Sequence, residues 1–155
     1  MPNAFSVAAG TPIEIRGQTG ISFPASVSAV AVNRVADARV ISANGTEPLG
    51  GFTHSGASLL VSHRPRRAGQ HVIVLALIPR ITRQSADGFR QYLALEGAGS
   101  LVEMYSRSGV LPTDSISMRS TKFAKTVVDV GSGGPRAFGA LAGHPLEIVP
   151  VSDPG

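Results

Sequence analysis

Cysteine is absent from the 155-residue chain, which excludes a disulfide framework and any thiolate-based zinc or redox chemistry. Aromatics make up 5% of the residues and charged side chains 15%. So few rings supply no ladder on which nucleic-acid bases could stack, and nucleic-acid binding is not expected. Low charge argues against disorder. No run approaches the ~20 apolar residues that a membrane span needs; Val72–Ile78 is far too short, and Met1-Pro2-Asn3 opens no signal-peptide pattern.

What the chain does have is 43% hydrophobic residues, 18 glycines and 11 prolines. That mixture favours many short strands joined by turns, and the length suits one domain, residues 1–155, with a real core. The formal charge of +4 predicts a weak attraction for anions.

Taken in order, Thr11–Arg16 alternates, with Ile13 and Ile15 on one side, and reads as a half-buried strand stopped by Gly17–Gly20. Val27–Val32 and Ala38–Ser42 are short β-branched strands, and Asn44-Gly45 is a turn dipeptide. Ser58–His63 and the unbroken apolar run His71–Ile78 are separated by Arg64–Gln70, which contains Pro65 and Gly69 and predicts a hairpin. Lack of alternation in the second run predicts a strand covered on both faces. Pro79 ends it.

Two short helices follow, inserted at about residues 87–108. Asp87 is positioned to cap the first, Asp87–Glu96, and Gly97 to stop it. Ser100-Leu101-Val102-Glu103 fits a capping box for the second, with Leu101, Met104 and Tyr105 as its buried stripe. Val110–Ser117 reads as a loop; Met118–Val130 contains a long strand, with Phe123, Lys125, Val127 and Asp129 on one face and Ala124, Thr126, Val128 and Val130 on the other; Gly131–Pro135 is a tight turn, Pro145–Pro150 a last strand and Ser152–Gly155 a polar end. The sum is a mainly β protein: an antiparallel β-sandwich, immunoglobulin-like or prealbumin-like, with an inserted helical pair. The predicted core joins Val72, Val74, Leu75 and Leu77 to Phe89, Leu93 and Phe123.

Several pieces carry a family resemblance. They are Gly69–Leu75 with Ile78-Pro79-Arg80, Phe89-Arg90-Gln91-Tyr92-Leu93 leading to Glu96-Gly97, and Lys122-Phe123-Ala124-Lys125 before Val128-Asp129-Val130-Gly131. The last is His144-Pro145-Leu146-Glu147-Ile148-Val149-Pro150 with Asp153-Pro154. In order and spacing over about Ser58–Pro154 the chain resembles the DUF4198 domain of bacterial envelope proteins. The resemblance implies a β-sandwich, a place in the periplasm or cell envelope, and an accessory role in nickel or cobalt uptake beside membrane transporter components. This chain departs from the family pattern by lacking an opening His-aromatic segment and by stopping near the Asp-Pro.

No nucleophile elbow, zinc-protease helix or phosphate loop is present, so a non-enzymatic protein is expected. The turn Gly131-Ser132-Gly133-Gly134 is followed by Pro135, and without a helix after it the loop cannot hold a dinucleotide. His63 and His71 flank the Arg64–Gln70 connection, and two imidazoles brought together would make half of a nickel, cobalt or zinc site. The remaining ligand, a carboxylate or a third histidine, is not identified by the sequence. His54 and His144 are expected to face water. Arg64, Arg66 and Arg67 could instead pair with phosphate or carboxylate on a partner. The competing reading is a structural or adhesion-type module that binds protein or glycan through its loops.

Overall fold

A computed structural model describes residues 1–19, 28–109 and 114–153. Strand outweighs helix, 44% to 16%, and the protein is mainly β. Gly20 and Val27, residues 110–113 of the expected loop, and Pro154 and Gly155 lie outside the described residues. The chain divides into two compact units, Met1–Ile78 with Lys122–Gly155, and Pro79–Thr121.

The first unit is a two-sheet sandwich. Its strands are β1 (Ser6–Val7), β2 (Ile13–Thr19), β3 (Ser28–Ala29), β4 (Val35–Ser42), β5 (Gly45–Pro48), β6 (Thr53–Ser55), β7 (Ser58–His63) and β8 (Gly69–Leu77). After the second unit, whose strands β9 and β10 are described below, β11 (Phe123–Val130) completes it. One sheet runs β1-β11-β8-β4-β5 and the other β3-β2-β7-β6. Among the described residues, all pairings are antiparallel except β1 with β11, two residues long and parallel.

Alternation along β8 explains its unbroken apolar sequence, because side chains of odd and even residues leave the sheet on opposite faces. Ile73 packs inward with Val40, Val128 and, from the other sheet, Ile13, Ile15 and Val61. Leu77 and Leu75 continue that inner face with Leu59, Val30 and Phe52. Val72 and Val74 point outward and are covered by Ala137, Ala140 and Ala142 of the C-terminal segment. The expected last strand, Pro145–Pro150, is therefore not a strand. Residues 137–142 lie over the sheet face, held by their alanine contacts and by backbone hydrogen bonds to the side chains of Gln70, Arg39 and Lys125.

β7 and β8 do not form the expected hairpin. β7 pairs with β2 and β6, while β8 pairs with β4 and β11. Residues 64–68 instead cross from one sheet to the other, with Pro65 fully buried. β2 also runs past Gly17, which packs on Leu59, to Thr19.

The second unit is a hairpin of β9 (Arg80–Ser85) and β10 (Ser115–Ser120), with α1 (Ala86–Leu95) and α2 (Gly99–Arg107) between them. The long strand expected within Met118–Val130 is β11, Phe123–Val130, while Met118–Ser120 belong to β10, which also takes in Ser115–Ser117 of the expected loop. Ser85, not Asp87, caps α1, its Oγ accepting from the Gly88 N–H at 3.0 Å. Asp87 in the first turn pairs with Arg90. The capping box does not form, since Ala98 is the N-cap of α2. Leu101 and Met104 are exposed, and Phe89 and Leu93 only half-buried. A unit of this size has little interior to offer an apolar stripe.

Candidate metal centre

The site is built from strand parity. Val61 and Ile73 face the sandwich interior, so His63 and His71, two residues away on β7 and β8, face it too. They meet at one end of the sandwich from opposite sheets, both buried. His63 Nε2 lies 3.3 Å from His71 Nδ1, and the ring centroids are 5.4 Å apart. The sheet crossing, rather than a hairpin, brings the two together.

The same parity supplies a carboxylate. Ser42 pairs with His71 across β4 and β8, and with Gly45 across β4 and β5. Paired residues share a face, so Glu47, opposite the inward Val40, also faces inward from the edge strand. Glu47 Oε1 is 3.7 Å from His63 Nε2. One ligand atom from each of Glu47, His63 and His71 falls within 4.8 Å of the others. The sequence left Glu47 unmarked; the signal was its two-residue spacing from the Asn44-Gly45 turn, readable only once the β4–β5 register is known.

Hydrogen bonding fixes one tautomer. His71 Nε2 is 3.1 Å from the Arg67 carbonyl, which can only accept, so Nε2 carries a proton and the Nδ1 lone pair points at its hydrogen-bond partner His63 Nε2. A backbone carbonyl orienting the far nitrogen of a histidine is the usual support of a metal ligand. Nitrogens 3.3 Å apart, each ~2.1 Å from a shared ion, subtend about 104°, near the tetrahedral angle. Three protein ligands leave a coordination position open.

No family model, curated protein or solved structure matches the chain. The site's chemistry therefore rests on its own geometry.

The three atoms open onto a cavity of about 460 Å³ lined also by Ser42, Asn44, Arg64, Arg66 and Arg67. All the residues singled out in the sequence as ligands or as anion-binding groups thus line one cavity. Arg67 donates to Asn44 Oδ1 at 2.9 Å and Arg64 to the Gly10 carbonyl at 3.3 Å. The other histidines lie elsewhere. His54 bonds the Val30 carbonyl at 2.9 Å. His144 does not face water as expected but is half-buried, stacked on Phe123 with centroids 4.4 Å apart.

Burial lowers the His63 pKa below its ordinary value; Glu47 opposes this and His71 reinforces it. Above about pH 6.5 the ring is neutral in folded and unfolded chains alike. As pH falls below that value, the unfolded state takes up a proton that the folded state resists, so stability declines until the folded pKa is passed. In EDTA, wild-type protein should lose stability with falling pH over this window, and His63→Gln should show a shallower loss. Equal slopes in urea-unfolding series would show that His63 titrates alike in both states.

Proposed function

We propose that this protein is a non-enzymatic metal-binding accessory domain of the bacterial cell envelope, which holds a nickel, cobalt or zinc ion on His63, His71 and Glu47. The observation that carries the reading is the convergence of these three ligand atoms at the mouth of one cavity. Two imidazoles and a carboxylate suit borderline divalent ions. The depressed His63 pKa keeps that ring neutral, as a ligand must be. Glu47 is 61% exposed while His63 is 7% exposed, so one ligand can swing to admit or release the ion. That suits cargo more than a closed four-coordinate structural site. The sequence resemblance to the DUF4198 family supports the envelope location and a handover to membrane transporter components.

Calorimetry of tag-free protein with Ni²⁺, Co²⁺, Zn²⁺ and Cu²⁺ at neutral pH tests the reading. Wild type should bind one ion, with affinity collapsing below about pH 6 as protons compete for imidazole. His63→Ala with His71→Ala should abolish binding. Glu47→Gln should weaken it by at least about tenfold, the lower end of the ~10–100-fold cost of losing even a supporting group. His54→Ala and His144→Ala should bind like wild type. No uptake by wild type, or equal uptake by the double variant, would reject the site.

A further inference from the structure

The cavity presents a contradiction for a bare cation. Three guanidiniums line it against a single carboxylate, Glu47, an excess of two positive charges that a divalent ion raises to four. Arg64 and Arg67 each donate to a neutral oxygen, at 3.3 and 2.9 Å. These bonds position the guanidiniums without neutralising them. Arg66 makes no hydrogen bond or ion pair among the described residues.

We propose that the cavity takes its metal ion together with a small multivalent oxyanion, the ion on His63, His71 and Glu47 and the anion's oxygens on Arg64, Arg66 and Arg67. The inference rests on the metal-site reading above. A guanidinium fork matches the paired oxygens of carboxylate or phosphate, and an ionised acceptor makes each hydrogen bond about twice as strong. One anion oxygen can fill the coordination position that the three protein ligands leave open. A volume of about 460 Å³ is far beyond what an ion needs and lies within the ~300–1,000 Å³ range of small-molecule sites. Each partner relieves the cost of the other: the anion screens the metal from the arginines, and the metal adds attraction for the anion. The cargo is then a metal–oxyanion complex and not the free ion.

Equilibrium dialysis at a fixed free Ni²⁺ or Zn²⁺ activity, set by a neutral polyamine buffer, separates the possibilities. One arm contains citrate, one inorganic phosphate and one neither. The expected result is a tenfold or greater rise in metal affinity with one of the anions, which identifies it as polycarboxylate or phosphate. By linkage, metal must raise that anion's affinity by the same factor. Arg64→Gln with Arg66→Gln should bind the bare ion more tightly than wild type while losing the enhancement. Arg66→Gln alone, which breaks no bond, should lose part of it. Equal metal affinity in all three arms, anion binding indifferent to metal, or full enhancement in the arginine variants would overturn the inference. If wild type binds the bare ion and the histidine double variant does not, the metal site stands while this inference falls. If no metal binds in any arm, both fall.

Discussion

Gly134→Ala should be among the most damaging single substitutions in the chain, costing about 3 kcal/mol or more, the upper end for forcing extra volume into a packed site. A Cβ at position 134 would sit 2.5 Å from the Ala68 carbonyl carbon and closer still to Gly69 N and Cα. All three obstacles are backbone, so no rotamer change relieves them. Gly69 is itself constrained, with φ +124° and its Cβ direction closed by Pro135. Just beyond it, Gln70 N–H donates to the Pro135 carbonyl at 2.8 Å. Two backbones therefore touch where the sheet crossing enters β8 and where β11 leaves the sandwich. In a protein of this length each 1 kcal/mol lowers Tm by about 2–4 °C, so a fall of roughly 6–12 °C is expected. A loss under ~1 kcal/mol would show that the two segments separate without cost.

That contact marks where the sequence stopped being informative. The strands Ser58–His63 and Gly69–Leu77 were legible from local pattern, as was coverage of β8 on both faces. Their partners were not, because a short Pro-Gly connection serves equally for a hairpin and for a crossing between sheets. Buried Pro65 and the Gly69–Gly134 approach choose the crossing, and both depend on residues far apart in the chain. β11 was legible over Phe123–Val130, but β10 was not: Ser115–Ser120 become a strand only through pairing with β9. Pro145–Pro150 reads as a strand locally, yet it has no strand partner among the described residues, and its Leu146 and Ile148 are exposed.

Half of the candidate centre could be read directly. His63 and His71 stood out because histidines at matching strand ends are conspicuous in an otherwise apolar pair. Glu47 was not conspicuous, being an exposed acid in an exposed strand, Gly45–Pro48. Its relevance comes from parity through three paired strands, carrying the inner face from His71 to Ser42 to Gly45 and on to Glu47. The arginines were visible as a charged cluster, but charge alone does not say whether it repels a ligand or recruits one. Sharing a cavity with three potential metal ligands is what raises the second possibility.

The C-terminal segment offers the other large effect, in Glu147→Ala. Lys125 lies opposite Val74 on β11 and so projects from the outer face, under that segment. Its side chain is 13% exposed, that of Glu147 is 12% exposed, and Nζ is 3.9 Å from Oε1. The pair is supported on both sides: Lys125 donates to the Ala140 carbonyl at 2.9 Å, and the carboxylate accepts from the Ala142 and Gly143 N–H groups at 2.6 and 3.3 Å. Removing the carboxylate leaves a nearly buried ammonium without its counter-charge and two N–H groups without their acceptor. Breaking a buried pair in this one-sided way costs about 3–5 kcal/mol, whereas replacing both charges by apolar groups of similar volume is often neutral. Lys125→Met with Glu147→Leu should therefore recover part of the loss; the exposed Gly143 N–H can turn to water, and the part-buried Ala142 N–H left without its acceptor accounts for a remainder of about 1–3 kcal/mol. Urea unfolding of the two single variants and the double variant gives the coupling directly. Additive losses would show that the charges do not sense each other at 3.9 Å.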